Sequence, residues 1–553
     1  MSNRELVLVS DFNIEPLSRL MSASADFSGM TVKAEPFGQV YQSLMSAGAQ
    51  SWATFLWTLP QRTIPSFAAA FNLEEVDRDV VFGEVDRFCD AILSAAANQY
   101  LFVATWTLPG NYRGYGNLDW RPGLGVKHLL AQMNVRMAER LAKASNIYVL
   151  DADEWSNGVA DAAPARIWYA AKVPYSQRVY ENVASDIRHA IEAIDGTSRR
   201  LIVLDLDNTL WGGVVGETGW QGIRLGGHDY IGEAYKDFQV ELKALSNRGI
   251  QLAVVSKNDE AVALAAIDQH PEMMLHRDDL AGWRINWGDK AANLAALVEE
   301  LNLGLASVVF IDDNPAERDR VARALPRVLV PEWPADAVDY VGALRALNCF
   351  QTATVSREDR GRKAMYVAER GRREAMHNVG SADEWLKSIG TKLSVAKLGQ
   401  ANLARVGQLL NKTNQLNLST RRLSAYEIEQ WASEPGRSLL ALSVADNFGD
   451  MGLVGIVSVE TADKAASLVD FVLSCRAMGR KVEEAMLHLA LEEAKRLGAD
   501  TLDIRFLPTE RNSPTLQVLE GARLKEIDEH RFQLNAADGY AWPDTITLAE
   551  ANA

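Results

Sequence analysis

Cysteine is scarce in this chain of 553 residues: Cys89, Cys349 and Cys475 lie far apart with no C-x-x-C spacing, which argues against a disulfide framework and a zinc knuckle. Positive charge is in deficit too. Lys and Arg number 57 against 73 Asp and Glu, a formal net charge of −16 and the wrong sign for a protein that tracks a phosphate backbone, so no nucleic-acid partner is expected. Long hydrophobic runs are also missing: no segment approaches the ~18 uninterrupted apolar residues of a membrane span, and the opening MSNRELVLVSDFN has an apolar run too short for a signal h-region. Together these absences give the expectation of a soluble protein of the reducing cytoplasm with no membrane partner. Internal repeats and low-complexity tracts are absent as well.

A hydrophobic content of 48% can bury several cores, and the length suits three α/β domains. In residues 1–198, short apolar runs (LVLVSDF, YLFVATW, NIYVLDAD) alternate with helical stretches such as VKHLLAQMNVRMAERLAKA. Residues 199–345 hold LIVLDLD, IQLAVVSKN, a helix from about Lys290 to Leu301, and SVVFIDDN, an order that predicts a doubly wound parallel sheet. Residues 346–383 contain the charge-rich run Ser356 to Met376, read as a solvated helical linker. Residues 384–535 form a third, mixed α/β region, and 536–553 read as a tail.

The chemistry concentrates in the second region. Leu201-Ile202-Val203-Leu204 is the continuous apolar run of a buried parallel strand and ends abruptly in Asp205-Leu206-Asp207-Asn208-Thr209. Asp312-Asp313 ends a second such run, Val308 to Ile311, and parallel strands would bring both acidic pairs to one sheet edge. Hard oxygen ligands with room for water and phosphate suit Mg2+. Between the pairs in sequence, Ser256 ends LAVVS and Lys290 opens a helix, supplying a hydroxyl and a fixed positive charge for phosphoryl oxygens.

DLDNTLWGG, VVSKN, WGDK and FIDDNP resemble the four ordered motifs of the haloacid dehalogenase (HAD) phosphatase superfamily, over about Arg200 to Pro331. The resemblance implies Asp205 as nucleophile, Asp207 as acid/base, and Thr209, Ser256 and Lys290 as phosphate ligands. It further implies magnesium held by the Asp205 carboxylate, the Asp207 carbonyl and the Asp312/Asp313 pair. Which member of that pair binds directly stays open. The insertion between Leu210 and Leu245 is too Gly-rich and short for a large cap, so an open site is expected, suited to a substrate carried on something large.

In the third region Cys475 ends a strand-like run and is followed by Arg476-Ala477-Met478-Gly479-Arg480-Lys481 and an amphipathic helix, surroundings that favour thiolate. A buried structural cysteine is the plainer alternative. The strand, Arg-x-x-Gly loop and helix resemble the acyl-CoA-binding turn of the GNAT fold, except that Lys481 stands where a second small residue is usual. With NKTNQLNLSTRR (Asn411 to Arg422), DNFGDMGLVG and PTERNSP, the chain resembles the FkbH-like proteins of polyketide and related pathways over about Ala165 to Leu524. That resemblance implies an enzyme that takes a glyceryl unit from 1,3-bisphosphoglycerate, removes phosphate, and loads the unit as a thioester on the phosphopantetheine arm of an acyl carrier protein through Cys475. Asn411, Asn414, Arg476, Gly479, Arg480 and Asn512 are the candidate substrate- or carrier-binding residues; ordinary turn and cap chemistry is the alternative for each amide. Arg421, Arg422, Arg476, Arg480 and Lys481 are candidates for a basic docking patch. A phosphatase fused to an acyltransferase for another small molecule, and a non-catalytic carrier scaffold, are the competing readings.

The first region resembles SGNH-type hydrolases in its Asp11, Asn134, Asp151 and Asp186-x-x-His189 positions. Where that family carries Gly-Asp-Ser, this chain reads Ser10-Asp11-Phe12, so a non-hydrolytic, structural or carrier-docking module is expected.

Overall fold

The computed structural model describes residues 4–47, 51–227, 229–301, 303–352, 382–413, 415–474, 477–509, 512–522 and 524–549. Two compact units divide the chain, Met1–Ile191 and Glu192–Ala553.

The first unit is built on five parallel strands, β1 (Arg4–Ser10), β2 (Met30–Ala34), β3 (Ala53–Trp57), β4 (Tyr100–Ala104) and β5 (Ile147–Leu150), in the order β2-β1-β3-β4-β5. Val85, Phe88 and Ile92 of helix Arg78–Ala95, with Leu129, Met133 and Met137 of helix Val126–Leu141, close one face of that sheet over Val7, Val9, Leu56, Leu101 and Val103. Asp77 caps the first of these helices by accepting from Asp79 N, which satisfies one of its otherwise unpaired first-turn amides.

In the second unit, β6 (Leu201–Leu204), β7 (Gln251–Ser256), β8 (Leu280–Ile285) and β9 (Val308–Ile311) form a parallel sheet in the order β8-β7-β6-β9. The apolar runs of β6 and β9 are explained by burial on both faces. Ile202, Leu204, Leu252, Val254, Val309 and Ile311 enter one core, while Leu201, Val203, Ala253, Val255, Val308 and Phe310 enter the other. Helices Tyr230–Arg248, Glu260–Gln269, Lys290–Glu300 and Pro315–Ala324 begin at Asp229, Asp259, Asp289 and Asn314, each of which accepts a backbone N–H at its helix start. The domain continues past the expected boundary at 345, because Cys349 and Phe350 are buried in its core and Cys349 O accepts from Arg199 N. The charge-rich run expected as a linker helix lies outside the described residues.

The second unit also contains a mixed nine-stranded sheet. Its strands are β10 (Thr391–Lys397), β11 (Leu416–Asn417), β12 (Arg437–Asp446), β13 (Gly449–Ala462), β14 (Ala465–Leu473), β15 (Thr501–Arg505), β16 (Lys525–Asp528), β17 (Arg531–Asn535) and β18 (Ile546–Leu548). The order is β16-β17-β15-β14-β13-β12-β10-β18, with β11 paired to β14 off this path. This arrangement is consistent with the expected GNAT-like fold. Ile546 pairs with Thr391, so the segment expected as a tail closes one edge of the sheet. β14 and β15 run parallel only from Ala465 to Leu468; beyond that they part, and β11 fills the opening by pairing with Leu473 and Val472. Leu418 bridges both sides, its N–H donating to Phe471 O and its carbonyl accepting from Leu507 N.

Candidate active site

β6 hands the chain to the site at Asp205, whose N–H donates to Ile311 O of β9 at 3.0 Å, so the two acidic strand ends are clamped side by side. The turn that follows is heavily constrained. Asn208 takes φ +55°, its carbonyl accepts from the hydroxyls of Tyr340 at 2.9 Å and Tyr235 at 3.3 Å, and its side-chain oxygen accepts from Gly213 N. A non-glycine residue in this region is uncommon, and it persists here because its surroundings over-determine it. A Cβ at Gly212 would lie 2.9 Å from the Tyr235 ring, so the turn also requires glycine there.

Lys290 is the first residue of its helix and is buried, yet it reaches both acidic strands: its Nζ lies 2.8 Å from Asp205 Oδ2 and 2.6 Å from Asp312 Oδ2. Burial alone would lower its pKa, but the charges of Asp205 and Asp312 outweigh that and raise it. Asp312 accepts on its other oxygen from Asn314 N at 2.9 Å. Asp313 exchanges bonds with Thr209: its N–H donates to Thr209 Oγ1 at 3.2 Å, and its Oδ1 accepts from that hydroxyl at 3.4 Å. Burial, then the Asp205 charge, pushes the carboxyls of both Asp312 and Asp313 up. Arg318 donates to the carbonyls of both residues at 2.8 Å and fixes the loop from behind.

Oxygens of Asp205, Asp312 and Asp313 all lie within 4.8 Å of one another. Asp205 Oδ1 is buried with no hydrogen-bond partner among the described residues. Three ionised carboxylates against one ammonium leave two negative charges, which one divalent cation would neutralise. The donor set is all oxygen, the spacing suits a shared ion, and an orphaned buried oxygen costs free energy unless something occupies it, so these residues fit Mg2+.

Asp207 turns its carboxylate elsewhere. Its Oδ1 accepts from Trp211 Nε1 at 2.8 Å and Val215 N at 3.0 Å, and its Oδ2 accepts from Asn258 Nδ2 at 2.7 Å. Burial raises its pKa against the pull of these donors. Ser256 is buried at the end of β7, on the same sheet edge. Asp205, Asp207, Thr209, Ser256, Lys290, Asp312 and Asp313 are thus gathered at one edge. Trp211 and Asn258 were not singled out by sequence reasoning, although both lie in motifs already marked, DLDNTLWGG and VVSKN. Among the described residues between Leu210 and Asp229 the one helix is the four-residue Val215–Thr218, and Gly212 and Arg224 bridge across this stretch.

The residues proposed in the third region stand differently. Cys475, Arg476 and Asn414 lie outside the described residues. Asn411 spends its amide on Leu423, donating to its carbonyl and accepting its N–H. Buried Asn512 accepts from Thr509 N and donates to Asn417 O and Leu507 O, which holds β11 in place. Arg480 is buried against Asp446 at 3.0 Å, and Arg421 pairs with the fully buried Asp470, so neither is displayed as a surface docking cation. Gly479, at φ +73°, donates its N–H to the buried carboxylate of Glu483 at 2.8 Å. For these amides and arginines the geometry favours the structural alternative.

In the first unit, Phe12 is fully buried against Trp57 and Tyr175, where an SGNH enzyme would place its nucleophile. Asp11 accepts from Leu59 N and Thr63 Oγ1, Asn134 closes on the Trp106 backbone, and Asp151 caps a short helix. Asp186 binds Trp155 Nε1, whereas His189 meets Ser185 and Arg188. Each of these SGNH-like positions has a structural partner.

No family model and no curated protein matches the chain. Among solved structures it is similar to the N-terminal part of the protein BF1531 from Bacteroides fragilis, described as containing a phosphatase domain complexed with Mg, at 27% identity and a TM-score of 0.58 over 64% of this chain and 95% of that one. This supports an HAD-type phosphatase domain here. The GNAT domain of S. lividans PAT (16% identity, TM-score 0.21) and the spermidine N-acetyltransferase from Vibrio cholerae in complex with CoA and spermine (14%, 0.22) each cover 26% of this chain and 89% and 96% of their own. No helix among the described residues is long and apolar enough to cross a membrane.

Proposed function

We propose that this chain is a Mg2+-dependent HAD-type phosphatase joined to a glyceryl transferase, taking its three-carbon unit from 1,3-bisphosphoglycerate and delivering it to the phosphopantetheine thiol of an acyl carrier protein. The observation that carries the phosphatase half is the convergence of Asp205, Lys290, Asp312 and Asp313 around the orphaned Asp205 Oδ1. In this reading an Asp205 oxygen attacks phosphorus, the phosphorus–oxygen ester bond breaks, and Asp207 gives a proton to the departing oxygen. Asp207 then takes a proton from the water that attacks the aspartyl-phosphate and restores Asp205. Lys290 and the Ser256 hydroxyl hold phosphoryl oxygens. A bound Mg2+ supplies charge neutralisation for the phosphoryl group, with Asp205, Asp312 and Asp313 as its holders.

The transferase half rests on the sequence resemblance. An acyl phosphate is already activated, so a Cys475 thiolate can expel phosphate from it without ATP, and passage to a carrier thiol exchanges one thioester for another. A carrier-borne arm is favoured over free coenzyme A because Glu483 already occupies the Gly479 amide, where the pyrophosphate of coenzyme A would have to sit. The test is intact-protein mass spectrometry of wild type, Cys475→Ala and Asp205→Asn with 1,3-bisphosphoglycerate, magnesium and a phosphopantetheinylated carrier. A glyceryl mass on the carrier for wild type, none for Cys475→Ala, and a retained phosphoglyceryl adduct for Asp205→Asn support both halves. No adduct with any variant removes the transferase and leaves the phosphatase.

A further inference from the structure

We propose that Trp211 and Asn258 are positioning residues that decide which oxygen of Asp207 carries the proton given to the leaving group. The inference rests on the phosphatase reading above, in which Asp207 is the acid/base.

A carboxylate oxygen has two in-plane lone pairs. On Asp207 Oδ1 both are taken, one by the indole N–H of Trp211 at 2.8 Å and one by the backbone N–H of Val215 at 3.0 Å. On Oδ2, among the described residues, one is taken, by Asn258 Nδ2 at 2.7 Å, and one is left. A proton therefore has a place only on Oδ2. The orientation of Asn258 is fixed by a second bond: its Oδ1 accepts from Asp259 N at 3.2 Å, so its NH2 must face Asp207. Trp211 is fully buried in the core beneath the turn, and the direction of its N–H is set by packing. These three donors come from the turn after β6, the start of the short helix, and the end of β7, so three separate elements define one side-chain direction.

In the chemical step the Oδ2–H proton moves to the bridging oxygen as the bond from that oxygen to phosphorus breaks and the bond from Asp205 to phosphorus forms. The leaving group departs as a neutral alcohol. In the second step Oδ2 takes the proton from water as the water oxygen bonds to phosphorus and the aspartyl bond breaks. Trp211 and Asn258 exchange no proton; they hold Oδ2 on course.

Dependence on this proton grows with the basicity of the leaving oxygen. An alkyl alkoxide needs it, whereas a p-nitrophenolate does not. The experiment compares the full chain and its Trp211→Phe, Asn258→Ala and Asn258→Ser variants in kcat and KM for glycerol 3-phosphate and p-nitrophenyl phosphate, with magnesium saturating and folding checked by thermal melts. Expected is a fall of about 10- to 100-fold in the ratio of alkyl to aryl kcat for Trp211→Phe and Asn258→Ala, with partial recovery of the ratio in Asn258→Ser, which retains a donor. A ratio that stays at the wild-type value in folded variants overturns the inference and leaves the phosphatase reading standing. If the wild type hydrolyses neither ester, the phosphatase reading fails and the inference with it.

Discussion

Lys290 Nζ stands 2.8 Å from Asp205 Oδ2, a buried ammonium beside the proposed nucleophile. The pairing raises the lysine's pKa, so its stabilising contribution is fully present below the unfolded value near 10.5 and is lost only as pH rises through the still higher folded value. Lys290 is thus charged throughout the neutral range. Lys290→Met leaves the acidic cluster without its fixed cation and is expected to lower kcat for phosphate release by about 10²- to 10³-fold, the scale of losing one electrostatic donor. A phosphate-release assay at saturating magnesium checks this; a loss below fivefold would place Lys290 outside the chemistry.

The two carboxylates of the Asp312-Asp313 pair differ in what they already do. Asp312 accepts from Lys290 on one oxygen and Asn314 N on the other, whereas among the described residues the side chain of Asp313 accepts one bond, the 3.4 Å bond from Thr209. Asp313 therefore has more capacity for a cation. We expect Asp313→Asn to raise the magnesium concentration giving half-maximal thermal stabilisation by about tenfold or more, the scale of a lost carboxylate ligand, and Asp312→Asn to act mainly on kcat through Lys290. Equal shifts for the two variants would refute the division.

Much of this site was legible because buried parallel strands ending in acid leave a plain trace. Leu201 to Asp205 and Val308 to Asp312 each change from apolar to charged within one residue, and the helix begun by Lys290 is where periodicity puts it. β8 was missed because Gly282 and Arg284 break its run, and as an edge strand it is only partly buried. β11 is two residues long, too short for any period, and β18 pairs with a strand far away in sequence. The donors on Asp207 were invisible for another reason: Trp211 reads as core and Asn258 as turn, and only the fold aims both at one carboxylate. Arg480 and Arg421 read as display cations because nothing in the sequence reveals the buried Asp446 and Asp470 opposite them.

Asp470 is fully buried in β14, where it accepts from both Arg421 and the hydroxyls of Ser419 and Ser458. Removing the guanidinium leaves a buried charge with hydroxyl partners only. Arg421→Met is expected to destabilise the nine-stranded sheet by about 3–5 kcal/mol, and adding Asp470→Asn should recover more than half of that. Calorimetry of the full chain reads both; no recovery in the double variant would mean that Arg421 acts through its packing over Trp431 instead.

The carboxyl of Asp11 in the first unit is pushed up to about 6, chiefly by burial, against the bonds from Leu59 and Thr63. Folding then favours its protonated form, so its contribution is fully present below the unfolded value of 3.8 and is lost as pH rises through about 6. Asparagine keeps an acceptor there without the charge. Asp11→Asn should therefore melt higher than wild type at pH 7.5, by an amount reaching roughly 3 kcal/mol, and match it near pH 4. An equal difference at both pH values would show that the charge of Asp11 is immaterial.

Free coenzyme A should neither bind nor compete in the third region. In a loop that cradles a pyrophosphate, backbone N–H groups and a helix N-terminus must be open to the anion. Here the Gly479 N–H is already bound by Glu483 at 2.8 Å, and the carboxylate of that residue sits buried in the first turn of helix Val482–Arg496. A phosphate arriving there would meet a like charge. The path for the arm is closed as well, since Leu418 spans from Phe471 to Leu507 across the opening between β14 and β15, and Asn512 and Thr515 anchor the Asn417 backbone beside it. Two independent obstructions predict that millimolar coenzyme A produces no binding heat in calorimetry and does not slow the proposed glyceryl transfer to a carrier protein. Glu483→Gln removes the like charge but not the strand, so it should not restore binding by itself. Competitive inhibition by coenzyme A in the wild type would show that β11 leaves its place in solution and that the carrier arm shares the same path.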